Sequence, residues 1–286
     1  MATAIAHGRK PRRRQSLGFY GAGLVVGVVL LVLLVGVAIF GPLLAPHSSI
    51  QTIGVPAKPP DGSSPLGTDF LGRDVLSRVL CGGRSTLLLG GAATLLTYLL
   101  GTSVGLIAGY VRTAVDPLLM RSVDVLLAFP ALLLMLLFVT AFGGSAAVLV
   151  GGVALVLFPG VARIVRTATL EISTRGYVEA AVARGETTLA ILRREVFPNV
   201  LGPIVADLGV RFGWSIILIA SVNYLGLGLQ PPTADWGLMI SENRDIISGN
   251  PAALLAPAAM LALLVISVNL VGDALVRRLG TSGDQR

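Results

Sequence analysis

Acidic residues stand four positions before an arginine at several places, the spacing that lets opposite charges meet on one face of a helix. They include the pairs Asp69/Arg73, Asp74/Arg78 and Asp207/Arg211. The chemistry available to such pairs is ion pairing. The third pair lies in an otherwise apolar stretch, where an isolated charge is costly and an ion pair normally faces other helices. We therefore expect Asp207 and Arg211 to be structural, and a role on a solute path is the alternative.

Other reactive side chains are few and scattered. Cys81 is the single cysteine, and His7 and His47 lie too far apart to indicate a metal site without further ligands. The chain contains no G-x-x-x-x-G-K-[ST] or H-E-x-x-H sequence, so nucleotide hydrolysis and metalloprotease chemistry have no support. We expect no catalysis, no cofactor and no metal on this chain.

The composition is that of a helical membrane protein. The 286 residues are 54% hydrophobic and 13% charged, with a mean hydropathy of +0.83, far outside soluble usage. Glycine is abundant at 35 residues, which suits helices whose backbones pack closely in lipid. We predict an all-α integral membrane protein rather than a β-barrel.

Cutting the sequence at its charges gives six segments long enough to span a bilayer. The uncharged stretch between Asp124 and Arg163 is too long for one helix, and we divide it at the FGGS sequence of residues 142–145. The first apolar segment exceeds a signal-peptide core and no A-x-A site follows it, so we expect it to stay attached. The six predicted spans are residues 19–44, 86–110, 125–141, 146–162, 204–224 and 253–276.

The charges between the spans predict the orientation. Sixteen Lys and Arg residues lie on the side of both termini and five lie on the other side. Because positively charged loops stay in the cytoplasm, both termini and the long loop of residues 163–200 are predicted to be cytoplasmic. The basic sequence HGRKPRRRQ near the N-terminus is explained by topology and membrane lipid, so we expect no nucleic-acid partner.

The loop between the fourth and fifth spans contains an amphipathic sequence, residues 177–199, reading YVEAAVARGETTLAILRREVFPN. Gly185 predicts a bend with a positive φ and a close approach of two short helices, and a Thr is expected to cap the second. Pro198 is predicted to end that second helix and Pro203 to open the fifth span. A helix lying on the inner leaflet is the alternative. The expected apolar stripe is Val178, Ala181, Gly185, Leu189, Leu192 and Val196.

Two further segments flank spans on the opposite side. Residues 65–84 are expected to form, after a turn, an amphipathic helix on the membrane surface through the Asp69/Arg73 and Asp74/Arg78 pairs. The sequence LGLGLQPPTADW of residues 225–236 is expected to break the helix, with Trp236 anchored in the interface. That second segment forms either a gate over a path or a rigid re-entrant turn, with Asn223, Leu225, Gly226 and Gly228 as the residues concerned.

The residue pattern of the amphipathic sequence resembles the EAA loop of ABC importer permeases, in which EAA is followed by three residues, Gly, nine residues and I-x-L-P. The head and the proline are intact here, whereas Glu195 and Phe197 stand where Ile and Leu are usual. We name residues 177–199 the EAA-like loop. The resemblance implies that it docks in a cleft of a separate cytoplasmic ATPase subunit through Glu179, Ala180, Ala181, Gly185, Leu189 and Pro198.

Three other stretches are similar to the C-type, or second, permease subunit of the dipeptide, oligopeptide and nickel importers. They are PLGTDFLGRDVLSRVLCGGR from Pro65, NYLGLGLQPPTADWGLM from Asn223 and NLVGDALVRRL from Asn269. The similarity implies three partners: a homologous second permease, cytoplasmic ATPase subunits and an extracytoplasmic substrate-binding protein. It also suggests that Asp69, Arg73, Asp74 and Arg78 contact that binding protein.

The sequence therefore predicts six transmembrane helices with a cytoplasmic EAA coupling-helix loop, in a permease forming half of a heterodimeric pathway for peptides or similar solutes. Nickel chelates and haem are alternative substrates. An ion-coupled carrier and a structural membrane scaffold are the alternative functions, although the central spans are nearly free of charge. The predicted divisions are a tail of residues 1–18, a first span and outer segment of 19–84, a five-helix core of 85–280 and a tail of 281–286.

Overall fold

The computed structural model describes the backbone of residues 15–283 and the side chains of residues 23–276, so the basic N-terminal sequence before Gln15 lies outside it. Within that part the chain is helical, and its only β-bridges are two isolated ones. The helices are α1 Gln15–Leu44, α2 Val75–Val111, α3 Val115–Leu127, α4 Ala131–Phe142, α5 Ala146–Ile172, α6 Gly176–Ala183, α7 Thr188–Ile191, α8 Phe197–Tyr224, α9 Trp236–Asn243 and α10 Ala252–Gly283.

In the part of the chain that the structure describes, five helical segments are long and apolar enough to cross a bilayer, and a broken pair makes a sixth candidate. The broken pair is α3 and α4, which meet at 90° and together stand where a continuous third span was expected. The break lies at Pro130, because a residue that precedes proline avoids the helical region. The joint predicted at residues 142–145 is confirmed, since Gly143 ends α4 with φ 88° and the Ser145 side chain caps α5.

The second span begins earlier than the sequence indicated. Helix α2 starts at Val75 because the Asp74 side chain accepts a hydrogen bond from the Ser77 amide at 3.0 Å. The separate amphipathic surface helix expected within residues 65–84 is therefore wrong: this segment is a loop followed by the first turns of a 37-residue helix. The division expected between residues 84 and 85 falls inside that helix.

The fifth span also begins earlier than expected. Helix α7, a π-helical turn at Leu192–Val196 and helix α8 form one 37-residue segment, so Pro198 does not end a helix and Pro203 does not open one. In the π turn the Phe197 amide donates to the Leu192 carbonyl, five residues back. Pro198 follows this wider turn, which accommodates a residue that has no amide hydrogen.

Close backbone packing joins α2 to α5. Gly101, Gly105 and Gly109 recur every fourth residue on α2 and lie against a face of α5. A Cβ atom on Gly105 would stand 2.7 Å from both the Ala162 carbonyl oxygen and the Val165 Cβ. Small residues at this spacing let transmembrane helices approach closely, which is the packing that the glycine content predicted.

The two ends of α2 lie far apart, since 37 residues extend about 55 Å at 1.5 Å per residue. Its Val75 end packs in an apolar cluster around Trp236, and its Val111 half packs in another cluster with Val165 and Val178. Trp236 is fully buried and donates from Nε1 to the Val79 carbonyl at 2.8 Å. The expectation that Trp236 anchors in the membrane interface is therefore wrong.

Candidate functional site

The EAA-like loop is a bent pair of short helices, as its sequence predicted. Helix α6 ends in a Schellman arrangement, in which the Gly185 amide donates to Val182 and the Glu186 amide donates to Ala181. Gly185 has a φ of +75°, and the Thr187 side chain caps α7 by accepting from the Ala190 amide at 3.4 Å. Nothing lies within 4 Å of a Cβ placed on Gly185, so the expected crowding between the two helices is wrong. The constraint at this position is the backbone angle alone.

One face of this loop is fixed to the spans. Val178, Ala181 and Ile191 are 0–2% exposed and pack with Tyr98 and Val165, which belong to α2 and α5. The expected stripe is confirmed for Val178, Ala181 and Val196, and Leu192 is partly buried against them. It is wrong for Gly185, which is exposed, and for Leu189, which is 75% exposed. The bend at Gly185 changes the helical phase, so Ile191 rather than Leu189 faces inward.

The opposite face of the loop is open. Tyr177, Val182 and Leu189 are all at least 43% exposed, and the residues Glu179, Ala180 and Pro198 are exposed as well. A cleft of about 370 Å³ beside α6 is lined by Tyr110, Arg112, Ser173, Val178, Glu179 and Val182. Arg112 fixes one wall by donating to the Leu170 carbonyl at 3.0 Å and to the Ser173 hydroxyl at 2.6 Å. Such a surface, with exposed apolar side chains and the Glu179 carboxylate at a cleft, can bind another protein.

A buried ion cluster lies at the other end of α2. Asp69 Oδ2 accepts from Arg73 Nε and from Arg78 Nη1, both at 2.6 Å, and Glu242 pairs with Arg78 at 2.7 Å and with Arg73 at 3.3 Å. All four side chains are at most 5% exposed. We call these four residues the buried ion cluster. Sequence spacing missed Glu242, which is 169 residues from Arg73 along the chain.

The four residues expected to contact an external protein therefore do not form an exposed face. Asp74 lies apart from the cluster as the cap of α2, and its side chain is fully buried. The exposed acidic residue of the loop before α2 is Asp61 instead, and the pKa of its carboxyl is lowered chiefly by Lys58 and also by the Ser63 and Ser64 hydroxyls. The contact with an external protein stays a prediction for this loop, and it falls to other side chains.

The turn after the fifth span, residues 225–235, is held by internal hydrogen bonds. Asn223 is fully buried, accepts from the Leu229 amide at 2.9 Å and donates to Asp235 Oδ1 at 2.8 Å. Gly228 is buried against the Asn223 side chain, whereas Leu225 and Gly226 are exposed. These contacts favour the rigid turn, and a role as gate stays a prediction.

Asp235 is a second residue that sequence analysis missed. It caps α9, and burial raises the pKa of its carboxyl, while hydrogen bonds from Thr86, Leu238, Asn223 and Gly237 act to lower it. The signal was present in the sequence, since an Asp that directly precedes an apolar helix is a typical N-cap. The short helix was missed because Asp235 lies between the two prolines and Trp236, in a stretch that was interpreted as a break in the helix.

Asp207 and Arg211 pair within α8 near the EAA-like loop. Asp207 Oδ2 accepts from Arg211 Nε at 2.8 Å and from the Tyr98 hydroxyl of α2 at 2.9 Å. The Arg211 guanidinium lies against Gly160 of α5. The pair thus joins α8 to two other helices, which favours the structural role over the path. Within the described side chains, no three His, Cys, Asp or Glu residues are grouped as a metal site requires.

Comparisons with known proteins agree with this architecture. Residues 101–281 match the family described as binding-protein-dependent transport system inner membrane component. The chain is 36% identical to the glutathione transport system permease protein GsiD of Pectobacterium atrosepticum, over 88% of this chain and 84% of that protein. It is 34% identical to the dipeptide transport system permease protein DppC of Bacillus subtilis, over 88% and 79% respectively.

Solved structures share the fold at low sequence identity. An inward-facing structure of the MetNI methionine ABC transporter matches with a TM-score of 0.58 at 20% identity, over 70% of this chain and 95% of that chain. An amino acid ABC transporter crystallised with histidines matches with a TM-score of 0.53, also at 20% identity, over 70% and 94%.

Proposed function

This chain belongs to the family of binding-protein-dependent transport system inner membrane components and is a permease subunit of an ABC importer, and we propose that its EAA-like loop docks on the importer's ATPase. One observation carries the proposal: the loop is fixed to the spans on one face and open on the other. Its buried residues Val178 and Ile191 join α2 and α5, while Val182 and Leu189 point away from the bundle. A partner bound to the open face would therefore displace spans rather than a free loop.

In this proposal, transport is a change of population between two arrangements of the bundle. ATP binding brings the ATPase subunits together, their movement shifts the EAA-like loop, and the loop shifts α8, which continues from it without a break. No covalent chemistry takes place on this chain. The bend at Gly185 sets the angle between α6 and α7, and Glu179 offers the docking cleft a carboxylate.

The proposed orientation places the EAA-like loop and both termini in the cytoplasm. The support is the excess of basic residues on the side of the termini, sixteen against five. The EAA-like loop and the loop before α2 also lie toward opposite ends of α2. The Val75 end of α2, with the buried ion cluster, is then external and faces the substrate-binding protein. Reporters fused after Gly62 and after Gly185 test this, because they are expected on opposite faces of the membrane, and a shared face contradicts it.

The proposed partners are a homologous second permease, cytoplasmic ATPase subunits and an external binding protein, and the proposed substrates are peptides. Relatives named for glutathione and for dipeptides support this substrate class. Nickel chelates and haem are the alternatives that transport assays with a substrate panel would separate. A carrier would transport without an ATPase, and a scaffold would support no transport at all.

A matched pair of substitutions tests the docking surface. Val182→Asp places a charge on the open face of the EAA-like loop, and Val55→Asp places the same charge on an exposed position of the opposite loop. We expect Val182→Asp to abolish co-purification of the ATPase subunits while the protein still inserts, and Val55→Asp to leave co-purification intact. Equal recovery of the ATPase with both variants would reject the proposed docking surface.

A further inference from the structure

We propose that Asp235 and Thr86 are positioning residues that fasten the turn after the fifth span to the Val75 half of α2, so that both move as one body during transport. The inference rests on the transport cycle proposed above. It adds a place where movement of α8 reaches the Val75 half of α2.

Asp235 holds three elements with one carboxylate. Its Oδ2 accepts from the Thr86 hydroxyl of α2 at 2.8 Å, and its Oδ1 accepts from Asn223 Nδ2 at the end of α8 at 2.8 Å. The same Oδ1 accepts from the amides of Gly237 and Leu238 at 3.0 and 3.2 Å, which begin α9. Asp235 is 1% exposed, and none of the four donors is a cation. A buried carboxylate that is satisfied only by neutral donors depends on all of them for its stability.

Further contacts fix the same elements along one face of α2. Trp236 donates from Nε1 to the Val79 carbonyl and lies against Gly82 and Gly83, where an added Cβ would stand 3.0 and 2.8 Å from its ring. The Trp236 amide also donates to the Thr86 hydroxyl at 3.3 Å. Since positions 79, 82, 83 and 86 share one helical face, the turn and α9 are attached to α2 over two turns of helix.

The attachment completes a path between the two ends of the molecule. The segment Thr188–Tyr224 is continuous from the EAA-like loop to the turn and ends one residue after Asn223. Asn223 is bonded to Asp235, and Asp235 is bonded to Thr86. A displacement that enters at the loop can therefore reach the Val75 half of α2 through two hydrogen bonds between side chains, in addition to the contact between Asp207 and Tyr98 nearer the loop.

Four substitutions separate this role from simple packing. Thr86→Val is nearly isosteric and removes the hydroxyl, with its bonds to Asp235, the Trp236 amide and the Gly82 carbonyl, whereas Thr86→Ser keeps the hydroxyl. Asp235→Ala removes all four bonds. Asp235→Asn can keep four bonds. Its amide oxygen accepts from Asn223 and from the two backbone amides, and its NH2 group donates to the Thr86 oxygen. The Thr86 hydroxyl then donates its own proton to the Gly82 carbonyl.

The measurement is transport and ATP hydrolysis in the same reconstituted complex with its binding protein. We expect Thr86→Val and Asp235→Ala to bind the ATPase and hydrolyse ATP, but to transport at least about fivefold less substrate per ATP, the low end of usual coupling between sites. Thr86→Ser and Asp235→Asn are expected to transport as much substrate per ATP as the wild type. Rescue by the two conservative variants is the result that a positioning role requires.

Two outcomes overturn the inference. Transport and hydrolysis that fall in proportion in Thr86→Val, with an unchanged ratio, would make the contact purely structural. A fall in the substrate transported per ATP in Asp235→Asn would show that the charge of Asp235 matters rather than its hydrogen bonds. Failure of the docking proposal is seen separately, as recovery of the ATPase by Val182→Asp.

Discussion

Four charged residues are buried together at the Val75 end of α2. The buried ion cluster contains two carboxylates and two guanidinium groups, and its net charge is zero. Burying a charge is costly, so removing one member leaves the others without compensation. The cluster therefore makes the loop before α2 and the helix α9 dependent on each other.

Glu242→Gln tests this dependence at a single residue. The change leaves Arg73 and Arg78 with only Asp69, and we expect it to lower the free energy of unfolding by about 3 kcal/mol, the lower end for a broken buried pair. Asp61→Asn is the control, because Asp61 is an exposed acid on the loop before α2 and lies outside the cluster. Thermal unfolding of the detergent-solubilised protein measures both, and equal melting temperatures for the two variants would contradict the argument.

What sequence could predict about single residues depended on the distance between partners along the chain. The Asp69/Arg73 and Asp207/Arg211 pairs are four residues apart and were found from spacing. The contacts of Arg78 with Glu242 and of Thr86 with Asp235 join residues about 150 or more positions apart, and no local pattern announces them. For the same reason Trp236, which any interface rule assigns to the membrane surface, is buried by glycines of a distant helix.

At the scale of elements, hydropathy located the spans, whereas the prolines led to wrong predictions of where helices begin and end. The first, second and sixth spans were located, and FGGS was identified as the joint between α4 and α5. Pro130 breaks a span that was expected to be straight, whereas Pro198 and Pro203 interrupt nothing. A proline ends a helix only where no neighbouring turn adapts, and the π turn at Leu192–Val196 makes that adaptation.

The seam between α2 and α5 gives an element-scale prediction. Gly105→Val would place a Cβ 2.7 Å from the α5 backbone, so we expect the helices to separate and the free energy of unfolding to fall by about 1–3 kcal/mol or more. Gly91→Val on the same helix is the control, because nothing lies within 4 Å of its added Cβ. Size-exclusion profiles after heating measure the loss, and equal survival of both variants would mean that the seam does not hold the bundle.

At the scale of the whole molecule, two helical segments of 37 residues extend from one end to the other. Helix α2 carries the glycine seam and contacts the turn after the fifth span, and the segment Thr188–Tyr224 begins in the EAA-like loop. The overall function followed from sequence because the family resemblance covers most of the chain. The open face of the loop did not, because helical phase across a bend cannot be read from spacing.

The central claim is that the EAA-like loop couples ATP hydrolysis to the spans, and it depends on the bend at Gly185. Gly185→Val opposes a φ of +75° at a cost of about 1–3 kcal/mol, and Gly202→Val is the control, with equally open space and helical geometry. The measurement is substrate-stimulated ATP hydrolysis and transport in one reconstituted complex. We predict that Gly185→Val inserts and binds its partner permease but loses coupling, that Glu179→Lys does so more mildly, and that Gly202→Val resembles the wild type. Unchanged coupling in Gly185→Val and Glu179→Lys would contradict the claim.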